Sequence, residues 1–554
     1  MTTPSASRRL RPWLPVTMIA VLWCLGFPAL QQYNVTWDEA LGDFFFGERY
    51  LSFFLSFDPA YLDFEADPYP EDREPDLGRS PFRIRPWEYY PVANTLAAGT
   101  SEVLSRRLGW LDGFDGFHAF NLILGALFLW VYFAFLDRRF GALVATSATV
   151  LLFTAPRVVV HMMSNIKDFP LMAMFGLCAI AFLLAFESGS VRALLAAGVL
   201  LGLTLGTKAN ALFFPAIPAL VWLAGGTPKA WDDRRRLLLG LLAAGATSVA
   251  VLYLTWPYLW GDPIRRYWEH FQYLSQRGGY ISPESLAPVL EAILFTTPPV
   301  LLAFFAVGLV PCISAARRGE RGAVLLLAWA ALVLGRVLLP FAGNFDGVRH
   351  FLELFPALAA IAGLGVGWTV ERLAGLAAAR GARVQAAIQT AAVAAVLFPG
   401  AWATVASHPF QIAYWNVFAG GLPGARAADQ PQASDYWGTS YRLGMEWLNE
   451  NAPENAKLVV PVVEHAVRLV APQRLRDDIL LLPVTTPFSP RIAPERLRWT
   501  LEAAAEGPVY VMFVERRDWM NALMADCLNR LEPEVTWHLE GEPILRIYRY
   551  TPPP

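Results

Sequence analysis

The chain has 554 residues, 55% of them hydrophobic and only 17% charged, with a mean hydropathy of +0.37. Soluble domains carry about 25% charge, so this length does not translate into three or four water-soluble domains. The formal net charge of −2 gives no footprint for nucleic acid, and three of the four cysteines (Cys24, Cys178, Cys312) sit in apolar runs, which excludes a disulfide framework.

Arg8, Arg9 and Arg11 precede a long apolar run with no small-residue cleavage site, which reads as a retained first span. A helix needs about 20 apolar residues to cross the hydrocarbon, and on that rule about eleven spans are expected. They fall near 13–31, 117–136, 141–156, 170–186, 191–206, 210–226, 237–255, 292–314, 322–341, 351–370 and 385–404. One side of this alternation receives short basic segments: the N-terminal arginines, Arg138/Arg139, Lys229 with Arg234–Arg236, Arg317/Arg318/Arg321 and Arg372/Arg380/Arg383. Basic loops mark the cytoplasmic side. The long first loop (32–116), the loop at 256–291 and the end of the chain are therefore expected outside the cytoplasm.

In the first outer loop, 37–57 mixes aromatic and charged residues and suits a helix lying in the membrane interface, and 58–76 is acidic, Pro-rich and irregular. The 256–291 loop, with TWPYLWGDP and RRYWEHFQYL, predicts a second interfacial helix. After a junction at 405–438, residues 439–554 read as a small α/β domain: a helix at 439–451, a strand in AKLVVPVV, the helix ERLRWTLEAAAEG, the strand PVYVMFV, the helix RRDWMNALMADCLNRL and paired strands in VTWHLE and ILRIYRY. The expected fold is thus mainly α: a polytopic membrane domain over 1–404 and an extracytoplasmic α/β domain at the C-terminus.

Chemistry concentrates where charges stand beside membrane exits, because desolvating a charge there is costly. Asp38 and Glu39 follow the first span; either they supply a general base or a metal ligand, or Thr36 or Asp38 caps the next helix. Lys167 and Asp168, in SNIKDFP, either cap the fourth span or face the same cavity with a phosphate-binding ammonium. Arg83 and Arg85 are candidate phosphate donors or solvated loop charges. Lys208 in GTKAN either snorkels or binds an anion. Asp346, Arg349 and His350 in NFDGVRHFLELFP make a charged turn or part of the site, and the alternation puts all five groups on one face. Paired carboxylates such as Asp38 and Asp168 could hold Mg²⁺ or Mn²⁺, or no metal at all.

TWDE after the first span, SNIKD before the fourth, GLTLGTKAN after the fifth and FDGVRHFLELFP before the tenth resemble, in order and spacing, the bacterial C-type glycosyltransferases. These are relatives of the protein O-mannosyltransferases and the lipid A aminoarabinose transferase. The resemblance implies transfer of a hexose or pentose, with inversion, from a polyprenyl-phosphate donor to a hydroxyl of a glycan, lipid or protein on the extracytoplasmic face. It maps the base to Asp38 and the second-loop acid to Asp168, with Glu39 helping to shape the acidic cavity. YYPV (Tyr89–Val92) stands where a His-Pro-Pro or Lys-Pro-Pro motif is expected, so Arg83 and Arg85 are the substitutes for the missing basic residue. The alternative is a transporter or flippase of a lipid-linked or polar solute; a scaffold anchored by its spans is a third reading. Transporters place ionisable groups near mid-membrane and show inverted repeats, and neither is visible.

Overall fold

Long apolar runs can satisfy their backbone in a bilayer only as helices or closed barrels, and through residue 406 the described residues are mainly helical. The computed structural model describes residues 12–69, 85–279, 287–337, 346–376, 381–484, 491–492 and 494–551. Helix α1 (Trp13–Leu30) is followed by two helices of the first loop, α2 (Phe44–Ser56) and α3 (Pro91–Ser101). Then come α4 (Gly113–Phe140), α5 (Ala142–Phe153), α6 (Pro156–Ser164), α7 (Asp168–Ser188), α8 (Val191–Leu205), α9 (Ala216–Gly225) and α10 (Arg234–Thr255). After α11 (Pro263–Gly279) and α12 (Ala287–Thr296) the bundle is completed by α13 (Pro299–Arg317), α14 (Arg321–Val337), α15 (Phe355–Leu376) and α16 (Ala382–Ala406).

The expected spans coincide with helices where they are described; 292–314 is divided between α12 and α13, and 338–341 lie outside the described residues. Among the described residues seven helices are long and apolar enough to cross a membrane, and the α5–α6 pair, bent by 64°, makes an eighth. The bend has a local cause: Ala155 is extended and Pro156, which lacks an N–H, opens α6 at a position where none is needed. Helices α8, α9 and α14 are apolar but shorter than the roughly 20 residues of a straight crossing. Helices α13 and α15 pack backbone to backbone. A Cβ on Gly308 would strike the carbonyl of Ile361, and one on Gly365 the carbonyl of Phe304. Small residues at such a crossing let two membrane helices gain dispersion contact.

The two interfacial helices come out differently. Helix α11 exposes Ile264, Trp268 and Phe271, as an interfacial helix should. Helix α2 instead buries Phe44, Phe45, Phe46 and Tyr50, with Phe44 packed edge-on to Phe114 and Phe117 at the start of α4. Its charges are buried as well: Glu48 takes Arg106 at 2.9 Å, and Arg49 donates to the carbonyl of Asp63.

The C-terminal part adds α17 (Gly421–Ala427), α18 (Tyr441–Asn451), β1 (Lys457–Val459), α19 (Glu464–Arg474), β2 (Leu480–Leu482), α20 (Pro494–Glu506), β3 (Val509–Val514), α21 (Ala522–Arg530), β4 (Val535–Leu539) and β5 (Glu542–Tyr550). The sheet order is β2-β1-β3-β5-β4, parallel from β2 to β3 and antiparallel from β3 to β4. The wholly buried β3 is its centre. Helix α19 and strand β2 carry no clear period in sequence, and β1 is cut short before Pro461.

Ion pairs sort the loops by side. Arg139 pairs with Glu187 and, at 3.1 Å, with Glu320, and Arg321 donates to the carbonyl of Gly225. All of these belong to one set of loops in the sequence alternation. The other set meets at the opposite end, beneath the sheet domain, as described below. The α13–α15 contact leaves no room for a larger side chain, so Gly308→Val is expected to cost about 1–3 kcal/mol. A thermal melt in detergent should show a clear drop, whereas Gly245→Ala, with nothing within 4 Å of the new carbon, should leave the melt unchanged.

Candidate active site

The segment leaving α1 is fixed by the Glu39 side chain, which folds back on Thr36. In Thr36–Trp37–Asp38–Glu39, the Glu39 carboxylate accepts from the Thr36 N–H at 2.9 Å and from its hydroxyl at 2.8 Å. The other Glu39 oxygen accepts from the N–H of Ile166 at 3.0 Å, and His118 Nε2 lies 3.2 Å away. Glu39 is only 2% exposed. It fastens the first loop to the SNIKD segment and thereby sets Asp38 beside Asp168.

SNIKD has its own cap. Asn165 Oδ1 accepts from the N–H groups of Lys167 (3.0 Å) and Asp168 (2.8 Å), closing the first turn of α7. Asp168 is thereby released from capping and points into the bundle end. Its carboxylate takes the Lys208 ammonium in a close ion pair, Asn165 Nδ2 at 2.9 Å, and Arg349 Nη1 at 3.8 Å. The GTKAN turn that carries Lys208 is tied to the 346–354 turn through Asn210, which donates to the His350 carbonyl at 2.9 Å. Arg336 reaches the same carbonyl at 2.8 Å and Glu353 at 2.6 Å.

Arg349 is the hub. Its Nη1 donates to Asp38 Oδ2 at 2.5 Å and its Nη2 to Asp346 Oδ2 at 2.9 Å, while its guanidinium lies 4.8 Å from the Trp437 ring centroid. Arg349 is 4% exposed and Asp168 1%, whereas Asp38 keeps 25% of its side chain open. Asp38 is thus held by a buried cation and still accessible. A second pair adjoins it. Lys167 Nζ lies 3.2 Å from Asp43 Oδ2 and 5.4 Å from the Tyr89 ring centroid. Asn94 donates to Asp43 Oδ1 at 3.0 Å. Burial pushes the Asp43 carboxyl up to about 6, against the downward pull of Lys167 and Asn94. Gly42 is required here, since a Cβ would stand 2.6 Å from the Tyr89 ring.

The structure therefore brings Asp38, Asp168, Lys167, Lys208 and Arg349 to one end of the bundle, with Glu39 as the fastener behind them. His350 enters through its backbone carbonyl. Arg85 lies outside the cluster, 45% exposed and paired with Glu88 at 3.2 Å, and Arg83 lies outside the described residues. Asp43 was missed by sequence reasoning. Its signal is the five-residue offset from Asp38 in WDEALGD, across a π-helical turn (Glu39–Asp43), a geometry common at functional sites. Among the described residues no group of three or more His, Cys, Asp or Glu side chains is arranged to hold a metal. Asp38 and Asp168, the carboxylates named for a divalent ion, each already face a cation, a donor set that fits Mg²⁺ or Mn²⁺ poorly.

Residues 112–256 match the family model described as dolichyl-phosphate-mannose-protein mannosyltransferase. The family resemblance read from the sequence is supported over this stretch, which carries SNIKD and GTKAN. No curated protein matches the chain in sequence. Among solved structures, the ArnT of Cupriavidus metallidurans bound to undecaprenyl phosphate superposes with a TM-score of 0.47 at 16% identity, over 97% of each chain. The same protein in its apo state gives 0.47 at 15% identity, again over 97% of each chain.

A buried ion pair is costly to break from one side. Lys208→Met leaves Asp168 with Arg349 at 3.8 Å as its remaining cation, and a loss of about 3–5 kcal/mol is expected. The check is a thermal melt in detergent, in which the double variant Asp168→Asn/Lys208→Met should recover part of the loss.

Proposed function

We propose that this multi-pass membrane protein is a glycosyltransferase that moves a sugar from a polyprenyl-phosphate donor to an acceptor hydroxyl on the extracytoplasmic face. The N-terminus is then cytoplasmic and the sheet domain outside, in keeping with the short basic loops of the other side. The observation that carries the reading is Asp38: a partly open carboxylate fixed by Arg349, with the ammonium groups of Lys167 and Lys208 close by. The match of residues 112–256 to a family of polyprenol-type sugar transferases supports it.

In this reading Asp38 accepts the proton of the acceptor hydroxyl as its oxygen bonds to the anomeric carbon. The bond from that carbon to the donor phosphate breaks in the same displacement, and the polyprenyl phosphate departs with the electron pair and one more negative charge. No protein nucleophile is needed, and the sugar inverts. The extra charge requires preplaced cations; Lys167, Lys208 and Arg349 supply them. Lys167 lies over Tyr89, the first residue of YYPV. In this reading it supplies the cation that the motif lacks in sequence, the role also expected of Arg85 and of Arg83, which lies outside the described residues. Asp168 holds Lys208 and Arg349, and Glu39 holds the two acidic segments together. These cations fill the electrostatic role that a divalent ion on Asp38 and Asp168 would otherwise have.

The test is turnover of synthetic polyprenyl-phosphate hexoses and pentoses by the purified chain, followed as release of polyprenyl phosphate with and without a chelator. Asp38→Asn is expected to lower the rate by about 10²–10⁴ while the protein still folds, and the chelator is expected to change little. Normal turnover by Asp38→Asn would remove Asp38 as the base.

The Asp43–Lys167 pair adds a pH dependence. Asp43 titrates at about 6. Above that pH its carboxylate competes with the donor phosphate for Lys167; below it, Asp43 is neutral and the ammonium is released. The KM for donor should therefore fall between pH 7 and pH 5, and Asp43→Asn should hold it at the low value across that range.

A further inference from the structure

One side chain of the sheet domain that reaches the cluster is Arg516. Arg516 follows the buried strand β3 and is held there by its N–H on the carbonyl of Val514 at 2.9 Å. Its Nη2 lies 3.3 Å from Asp346 Oδ1, and its Nη1 donates to the carbonyl of Tyr436 at 2.8 Å. Asp346 is thus shared between two guanidiniums, Arg516 on one oxygen and Arg349 on the other. It also adopts a left-handed φ of 56°, a conformation disfavoured for a residue with a Cβ, and the Tyr436 hydroxyl donates to its carbonyl at 3.0 Å. Strain of this kind persists only where the surroundings impose it.

A second route leads from the same domain to the residue beside Asp38. The Arg516 guanidinium lies 4.9 Å from the Trp37 ring centroid. Trp519 packs edge-on to Trp37 at 4.4 Å, and His465 Nε2 donates to the Trp37 carbonyl at 3.0 Å. Burial lowers the His465 imidazole to about 4, so at neutral pH it is an uncharged donor. The Trp37 N–H in turn donates to the carbonyl of Trp437, whose ring carries Arg349. Trp37, the neighbour of Asp38, is therefore held at its backbone and ring, and the Asp38 carboxylate is held by Arg349.

We propose that Arg516 is a positioning residue: through Asp346 and Arg349, and through Trp37, it couples the C-terminal domain to the orientation of Asp38. The kinetic part rests on the reading of Asp38 as the acceptor base. Without Arg516, Asp346 has, among the described residues, Arg349 as its remaining ion-pair partner, and Arg349 is drawn from Asp38 toward Asp346. Ground-state donor binding rests on Lys167 and Lys208, and Arg349 acts on the charge that develops later, so donor binding is little affected while alignment of the base is lost. An ångström-scale misplacement of a catalytic group costs about tenfold or more in rate.

The experiment uses the full chain in detergent, with Arg516→Ala, Arg516→Lys and, as control, Arg517→Ala, whose exposed side chain pairs with Asp429. Hydrogen exchange is followed in the 37–43 and 346–354 segments, and kinetics with whichever undecaprenyl-phosphate-linked hexose or pentose the wild type turns over. Arg516→Ala should exchange several-fold faster in both segments and lose about tenfold in kcat, with donor KM within twofold. Arg516→Lys should restore part of the loss, and Arg517→Ala should match wild type. Unchanged exchange in Arg516→Ala overturns the coupling whether or not donor is turned over. Faster exchange in a chain that turns over no donor upholds the coupling and overturns only the donor reading.

Discussion

A guanidinium buried to 4% exposure at Arg349 is the constraint from which the arrangement of this end of the bundle follows. Arginine does not lose its proton in a protein, so its charge must be met where it sits. Three carboxylates meet it, Asp38, Asp168 and Asp346, from three widely separated parts of the chain. Each then needs its own support: Glu39 and Thr36 behind Asp38, Asn165 and Lys208 on Asp168, Arg516 on Asp346. Removing one member of such a network strands a charge, which is why so much of the loops at this end is committed to holding it.

That commitment explains the asymmetry of the molecule. The loops at the Arg139–Glu187–Glu320 end are short and joined by a few partly exposed ion pairs. The loops at the other end are long, and they close over the cluster with α2, α3 and the sheet domain. Asp112 and Asp115, at the start of α4, clamp that domain through Arg442 and Arg474 at 2.7–2.9 Å. A scaffold anchored by its spans would need no such clamp.

What was legible in the sequence is what has a local cost. Apolar runs of span length, and charges placed beside them, are expensive unless they have a use; this exposes the helices and also Asp38, Asp168, Lys208 and Arg349. Pairing across hundreds of residues leaves no local trace. Asp346 is close in sequence to Arg349, yet Arg516, which holds its other oxygen, lies 170 positions away and reads as an ordinary loop arginine. The same limit applies to α2: an aromatic helix with interspersed charges has one pattern whether its phenyl rings meet lipid or, as Phe44 does, Phe114 and Phe117. Glu39 was legible as a special carboxylate and not as a fastener, because its partner Ile166 offers only a backbone N–H, which every residue type shares.

The position of the cluster also bears on the choice between chemistry and transport. A carrier must expose its site to both sides in turn, which favours ionisable groups near mid-membrane on elements that can rock. Here the charged groups lie at one end, at the N-terminal turn of α7, the turn after α8 and the turn before α15, and are cross-braced by Asn210, Arg336 and Glu353. Such bracing suits a fixed site better than an alternating one, and in the proposed reading it would meet the donor phosphate while the prenyl chain stays in the hydrocarbon. Lys208 is held by a buried carboxylate, Asp168. A lysine in water loses much of its pull on a phosphate to solvent, whereas a lysine already desolvated and oriented by a carboxylate needs little further reorganisation when charge develops on a leaving group.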